Sequence, residues 1–250
     1  MIIRIILWDL SLSCYNKLMD NKIRLTKAGI STFISPFIWL LIVGFIYFAA
    51  AGDVKIPRAW IYIATYAFGS LAGNLLLVKK VPELLNQRSN IHRKAEKWDI
   101  IILYAYFFLT LTFLPLTAGL DFRFHISPLP FTSIYIGITF ILASLFLLIW
   151  AMLCNRFFEP SVRIQNEKKH VVIQTGPYSI IRHPGNLGVI IGSLPIPFAL
   201  GSLLSMIPAA IMISLIVIRT KKEDEVLLTN LPGYGEYVNK VKYRLIPYIW

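Results

Sequence analysis

Residues 132–154 read TSIYIGITFILASLFLLIWAMLC, 23 residues without a single Asp, Glu, Lys or Arg. At about 1.5 Å of rise per residue, a helix of this length crosses a hydrocarbon core of about 30 Å. Three earlier stretches, 31–51, 59–78 and 99–119, are comparable in length and apolarity, so four helical spans are expected before residue 155. A fifth apolar region, 186–218, is too long for one span and is interrupted by Pro195, Pro197, Gly201 and Pro208. Proline lacks a backbone donor and breaks the helical ladder, so this region is expected to be a helical hairpin turning near Gly201-Ser202, its broken helices short for full spans. The fold class expected is all-α: a polytopic membrane helix bundle of about six transmembrane helices, the C-terminal hairpin included.

The charges are distributed around those spans with a strong bias. Of the 25 Lys and Arg residues, 22 fall in the segments 1–30, 79–97, 155–185 and 219–250. Lys55, Arg58 and Arg123 alone occupy the intervening loops. The positive-inside rule then places both termini in the cytoplasm. The net charge of +12 is accounted for by this topology, and nucleic acid is not an expected partner. Residues 1–30 contain Arg4, Lys17, Lys22, Arg24 and Lys27 and lack a cleavage site, which predicts an interfacial segment at an anionic membrane surface rather than a signal peptide. Cys14 and Cys154 belong to no disulfide framework and no metal-ligand cluster, so no metal is expected. The chain reads as one membrane domain, 1–250, with four spans in 31–154 and a C-terminal core in 155–250.

Chemistry concentrates in the polar segment 155–185 and just beyond the hairpin. Gly176-Pro177 signals a turn, and Pro184 forces His183 out of helical geometry. Asn186 or Gly185 is expected to cap the helix that follows, presenting free N–H groups and a positive dipole end to an anionic group. Read singly, Arg182 and His183 are a basic interface pair, His170 a solvated loop histidine and Tyr178 an interfacial anchor. Arg219 and Glu223 stand four residues apart on one helix face. They form either an exposed ion pair worth a few tenths of a kcal/mol or ionisable groups converging on a cavity at the mouth of the bundle.

Taken in order, Gly176-Pro-Tyr178-Ser-Ile-Ile-Arg182-His183-Pro184, then Arg219 with Glu223-Asp224, then Leu231-Pro-Gly-Tyr234-Gly-Glu-Tyr237 and Tyr243-Arg244-Leu-Ile-Pro247 resemble the isoprenylcysteine carboxyl methyltransferase family and its phospholipid methyltransferase relatives. The resemblance covers about residues 155–250. Upstream, Pro82-Glu-Leu-Leu-Asn-Gln-Arg88 and Lys97-Trp98-Asp99 resemble a segment of prokaryotic members. What the resemblance implies is S-adenosylmethionine as methyl donor, held in a cytoplasmic pocket of loop and last helices; the sequence has no dinucleotide-binding glycine fingerprint after a strand.

At the matching positions, Gln165, His170, Val171, Val172, Ile173, Tyr178, Arg182, His183, Pro184, Gly185, Asn186 and Glu223 fall where the family contacts the cofactor. Arg219 falls where it places a substrate-contacting arginine, implying a role in substrate orientation. Two departures stand out: Asn186 replaces the family's usual tyrosine, and Gln165 lies closer to His170 than in eukaryotic enzymes. The implied activity is methyl transfer to a lipophilic small-molecule or lipid-modified substrate within the membrane, at a carboxylate or thiol. An amino-headgroup phospholipid or small thiol is the second reading, and a non-catalytic scaffold or transporter the third. The matched residues include no clear general base, which favours carboxylate or thiol over amine, and the charge-poor spans count against a transporter.

Overall fold

The computed structural model describes residues 24–88 and 95–250. Its regular elements are helices: α1 (Lys27–Ala51), α2 (Pro57–Lys80), the short α3 (Pro82–Gln87), α4 (Lys97–Phe124) and α5 (Ser133–Cys154). Apart from α3, these are the four helices long and apolar enough to cross a membrane, as the hydropathy predicts. Their outer faces carry large exposed apolar side chains such as Leu41, Phe45, Phe68 and Ile101, which suit contact with lipid tails. Within α4, the turn Leu109–Phe113 is π-helical immediately ahead of Pro115. That proline has no N–H to continue the ladder, and the widened turn absorbs the mismatch.

The hairpin turns where expected, and its apolar arms are shorter than full spans, as the breaks in that region imply. The first arm is α6 (Pro184–Gly192) followed by α7 (Pro195–Leu200), broken between them ahead of Pro195. The chain reverses at Gly201, whose φ of +75° is a left-handed conformation that glycine adopts without a Cβ clash. The return arm α8 (Met206–Asn230) continues past its apolar half into the charged run beginning at Arg219, and α9 (Tyr234–Lys240) follows. The bundle is therefore four long spans and a hairpin of shorter apolar arms.

One local expectation is corrected. Neither Gly185 nor Asn186 caps α6: Pro184 takes the first helical position and His183 is the cap residue, with no side-chain cap bond. Proline suits that position because its fixed φ is already helical and the N–H it lacks would have had no helical partner. Most of the expected interfacial segment, residues 1–23, lies outside the described residues.

Polar groups pin the far end of the hairpin. Arg58, at the start of α2, donates to the carbonyls of Phe198 and Ala199 at the end of α7, to Leu129 O and to Ser133 Oγ. A cation here satisfies carbonyls that a helix C-terminus leaves unpaired. Asp121, at the end of α4, accepts from Ser127 and from Ser202 and Leu204 in the turn. Small residues then allow close approach along the length: a Cβ at Gly137 of α5 would lie 2.6 Å from Ala199 N.

That contact yields a prediction of definite sign. Gly→Ala in a helix ordinarily stabilises by up to about 1 kcal/mol, whereas forced overpacking against backbone costs about 1–3 kcal/mol. Gly137→Ala is expected to lower the thermal unfolding midpoint in detergent. Gly235→Ala in α9, where the nearest atom is 3.9 Å from the added Cβ, is expected to raise or preserve it.

Candidate active site

The start of α6, the charged half of α8 and the loop between α5 and α6 meet around two buried anions. The first is Asp224, which the sequence reading passed over in favour of its neighbour. Its Oδ1 accepts from Arg182 Nε at 2.8 Å, His183 Nε2 at 2.9 Å and the Tyr234 hydroxyl at 2.8 Å. Oδ2 accepts from Arg182 Nη2 and Arg244 Nε, both at 2.9 Å. Burial alone would raise this carboxyl's pKa, but the bonds from His183 and Arg182 outweigh it and hold the group well below the usual carboxylate range. An ionised carboxylate only accepts, so His183 Nε2 carries the hydrogen and Nδ1 is left facing Glu223 Oε2 at 3.8 Å. Arg182 also donates to the carbonyls of Val241 and Lys242, so it bolts the C-terminal segment to α8.

The second anion is Asp99 in the first turn of α4, fully buried. It accepts from Arg219 Nε at 2.7 Å and from Val162 N at 2.7 Å. Arg219 further donates to Asn186 Oδ1 at 2.7 Å and to Pro160 O at 2.9 Å, and reaches Glu223 Oε2 at 3.4 Å. Asn186 completes the relay by donating from Nδ2 to Glu223 Oε2 at 2.7 Å. Glu223 is thus only the more distant of Arg219's acidic partners, and the surface-pair reading gives way to a buried network. Four of the five Arg219 N–H donors go to protein acceptors.

These groups edge a continuous cavity of about 660 Å³, within the range of small-molecule sites. Gln165, His170, Val171, Val172, Ile173, Tyr178, Arg182, His183, Gly185, Asn186, Arg219 and Glu223 all line it, whereas Pro184 opens α6 outside the lining. Beyond this polar end, the cavity continues between spans past Trp39, Leu40, Leu103, Phe107 and Leu145. Gln165 Nε2 donates to Phe157 O, while its buried Oε1 has no hydrogen-bond partner among the described residues. Tyr178 accepts from Asn155 Nδ2, and its own carbonyl accepts from the Tyr237 hydroxyl. His170 packs on Phe157 with ring centroids 4.4 Å apart, and burial lowers its pKa to about 4.

Residues 135–229 match the model of the isoprenylcysteine carboxyl methyltransferase (ICMT) family. Among curated proteins nothing matches. The matched region runs from α5 through α8 and so contains Arg182, His183, Asn186, Arg219, Glu223 and Asp224, while Asp99, Tyr234 and Arg244 lie outside it. A lone acid heading an apolar span was the signal that Asp99 offered in the sequence.

Two outcomes follow from these networks. Asp224→Asn leaves the buried Arg182 guanidinium and the half-buried Arg244 short of their anion and is expected to cost on the order of 3–5 kcal/mol, read as a large fall in the unfolding midpoint. For His170, the unfolded chain takes up a proton near pH 6.5 that the folded chain refuses until about pH 4. Its contribution to stability is therefore complete above pH 6.5 and is lost as pH falls toward 4. His170→Gln should flatten that limb of a plot of unfolding midpoint against pH.

Proposed function

We infer that this chain is an S-adenosylmethionine-dependent membrane methyltransferase acting on a lipophilic acceptor through a carboxylate or thiol. The observation that carries the reading is the single cavity whose polar end holds the family-matched residues and whose other end runs between apolar spans. One end suits a charged donor and the other a lipid chain, so both reactants meet without leaving the cavity. The charge bias of the sequence supports a cytoplasmic position for the polar end.

The residues present fit the donor. Gln165 Oε1 is a buried acceptor without a partner, suited to an amino or hydroxyl group. The backbone of Val171, Val172 and Ile173 enters no backbone hydrogen bond among the described residues, leaving its edges open beside the cavity. The Glu223 carboxylate is partly exposed to the cavity and suits a cationic centre. Arg182 contributes differently, since its donors are used on Asp224 and two carbonyls, and it shapes the wall. Asn186 takes the place of a tyrosine by linking Arg219 to Glu223, which fixes the carboxylate's direction.

When bound, S-adenosylmethionine supplies a methyl group on a positively charged sulfur, whose transfer to an anionic acceptor cancels charge. The chain's part is to align the acceptor and keep water away, and alignment alone accounts for up to about 7–11 kcal/mol in well-oriented systems. A carboxylate acceptor is already ionised near pH 7, so no protein base is required. Trp39, Phe107 and Leu145 line the apolar part, where a low dielectric strengthens interaction between opposite charges. Arg219 holds Glu223 and Asn186 in place and keeps one N–H for the acceptor.

Calorimetry on the purified chain in lipid is expected to show S-adenosylmethionine binding at micromolar to sub-millimolar affinity, roughly the range of enzyme substrates. Glu223→Gln should weaken it about tenfold to a hundredfold, as for loss of a charged hydrogen bond. Incubation with methyl-labelled donor and lipid extract should label an apolar product, and release of the label by mild base would identify a methyl ester over a thioether. A wild-type protein that binds no donor in lipid would remove this reading.

A further inference from the structure

Arg88 closes the Pro82–Arg88 segment after α3 and lines the same cavity, yet the family resemblance gives it no role there and it belongs to neither buried network. Its guanidinium carries five N–H donors. Among the described residues its contacts are a thioether and a ring: Nη1 donates to Met152 Sδ at 3.6 Å, and the guanidinium carbon lies 5.4 Å from the Phe158 centroid. Neither is an anion. Glu159, the acid it senses electrostatically, gives both carboxylate oxygens to Arg163.

The other arginines of the interior differ. Arg58 is bonded to three carbonyls and a hydroxyl, Arg182 to Asp224 and two carbonyls, and Arg219 to Asp99 with further acceptors. Burial lowers the Arg88 pKa to about 10, with Glu159 opposing, so the group stays charged at neutral pH. A cation largely withdrawn from water and, among the described residues, without an anion is costly, because buried charges are ordinarily paired. Its planar fork matches the two oxygens of a carboxylate, which the four donated N–H groups of Arg219 no longer allow at that residue.

We propose that Arg88 receives the carboxylate of the lipophilic acceptor, holding it by a two-pronged contact inside the cavity. The word acceptor rests on the methyltransferase reading; recognition of an oxyanion on an apolar chain does not. Phe158 and Met152 then act as the apolar backing that keeps the guanidinium desolvated.

The test is binding by the full-length protein in nanodiscs of three chain-matched probes, palmitate, palmitamide and hexadecyl phosphate. Wild type should bind palmitate at least about tenfold more tightly than palmitamide, the scale of a charge-assisted pair. Arg88→Gln should bind the two alike, with palmitamide affinity unchanged, and Arg88→Lys should retain part of the preference. Without ligand, Arg88→Gln should unfold no earlier than wild type, because it removes a cation that has no anion among the described residues. A preference for palmitate that survives in Arg88→Gln, or its absence from wild type, overturns the proposal. Tighter binding of hexadecyl phosphate than palmitate, lost in Arg88→Gln, assigns the guanidinium to a lipid headgroup and overturns the acceptor role. S-adenosylmethionine binding is measured on the same preparations. Donor binding that persists in Arg88→Gln isolates the acceptor contact, whereas a wild type that discriminates palmitate and binds no donor refutes the methyltransferase reading and leaves the anion site standing.

Discussion

The candidate site depends on a carboxylate at Asp224 that stays ionised away from water. Five donors converge on it, three from the adjacent Arg182 and His183 and one each from Tyr234 and Arg244, so three parts of the C-terminal third meet there. Without that anion, Arg182 and Arg244 would face each other as unmatched cations. With it, the loop before α6, the charged half of α8, α9 and the terminal segment share one fixed point. The His183 imidazole is oriented by the same contact, so the wall of the cavity is set by a group behind it.

Asp99 plays the matching part for the other wall. It ties α4 to α8 through Arg219 and to the loop through Val162 N, and Arg219 passes the constraint to Asn186 and Glu223. The carboxylate facing the cavity is therefore positioned by a chain of three side chains anchored in a different span. In a low-dielectric setting such a network is rigid only when every member is satisfied, and Asp99, Arg219 and Asn186 each have partners.

What was legible in the sequence follows from the reach of each signal. Length and apolarity, which are local, marked four spans, and Gly201 among prolines marked the hairpin turn. Local motifs also gathered Gln165, the His170 to Ile173 run, His183, Asn186 and Glu223, which the fold brings to one cavity. Motif reading could not distinguish Glu223 from Asp224, because adjacent helical residues point about 100° apart and only the packing decides which one turns inward. Nor could it pair Asp99 with Arg219, 120 positions away, or free Asn186 from the cap that Pro184 made unnecessary. The short hairpin arms were legible as well, because Pro195 and Pro197 break the apolar run and the charges from Arg219 onward shorten what can span.

The pinning of the hairpin at both ends has a kinetic side. Arg58 bonds to a carbonyl 141 residues later, Asp121 to a serine 81 residues later and Asp99 to an arginine 120 residues later. These are contacts of high sequence separation, whose loop-closure entropy is lost before their enthalpy is gained. The short arms have little to hold them until α2, α4 and α5 are already assembled as a template. On that ground the C-terminal third is expected to order after those helices, and synthesis from N-terminus to C-terminus delivers the template before the segment that needs it.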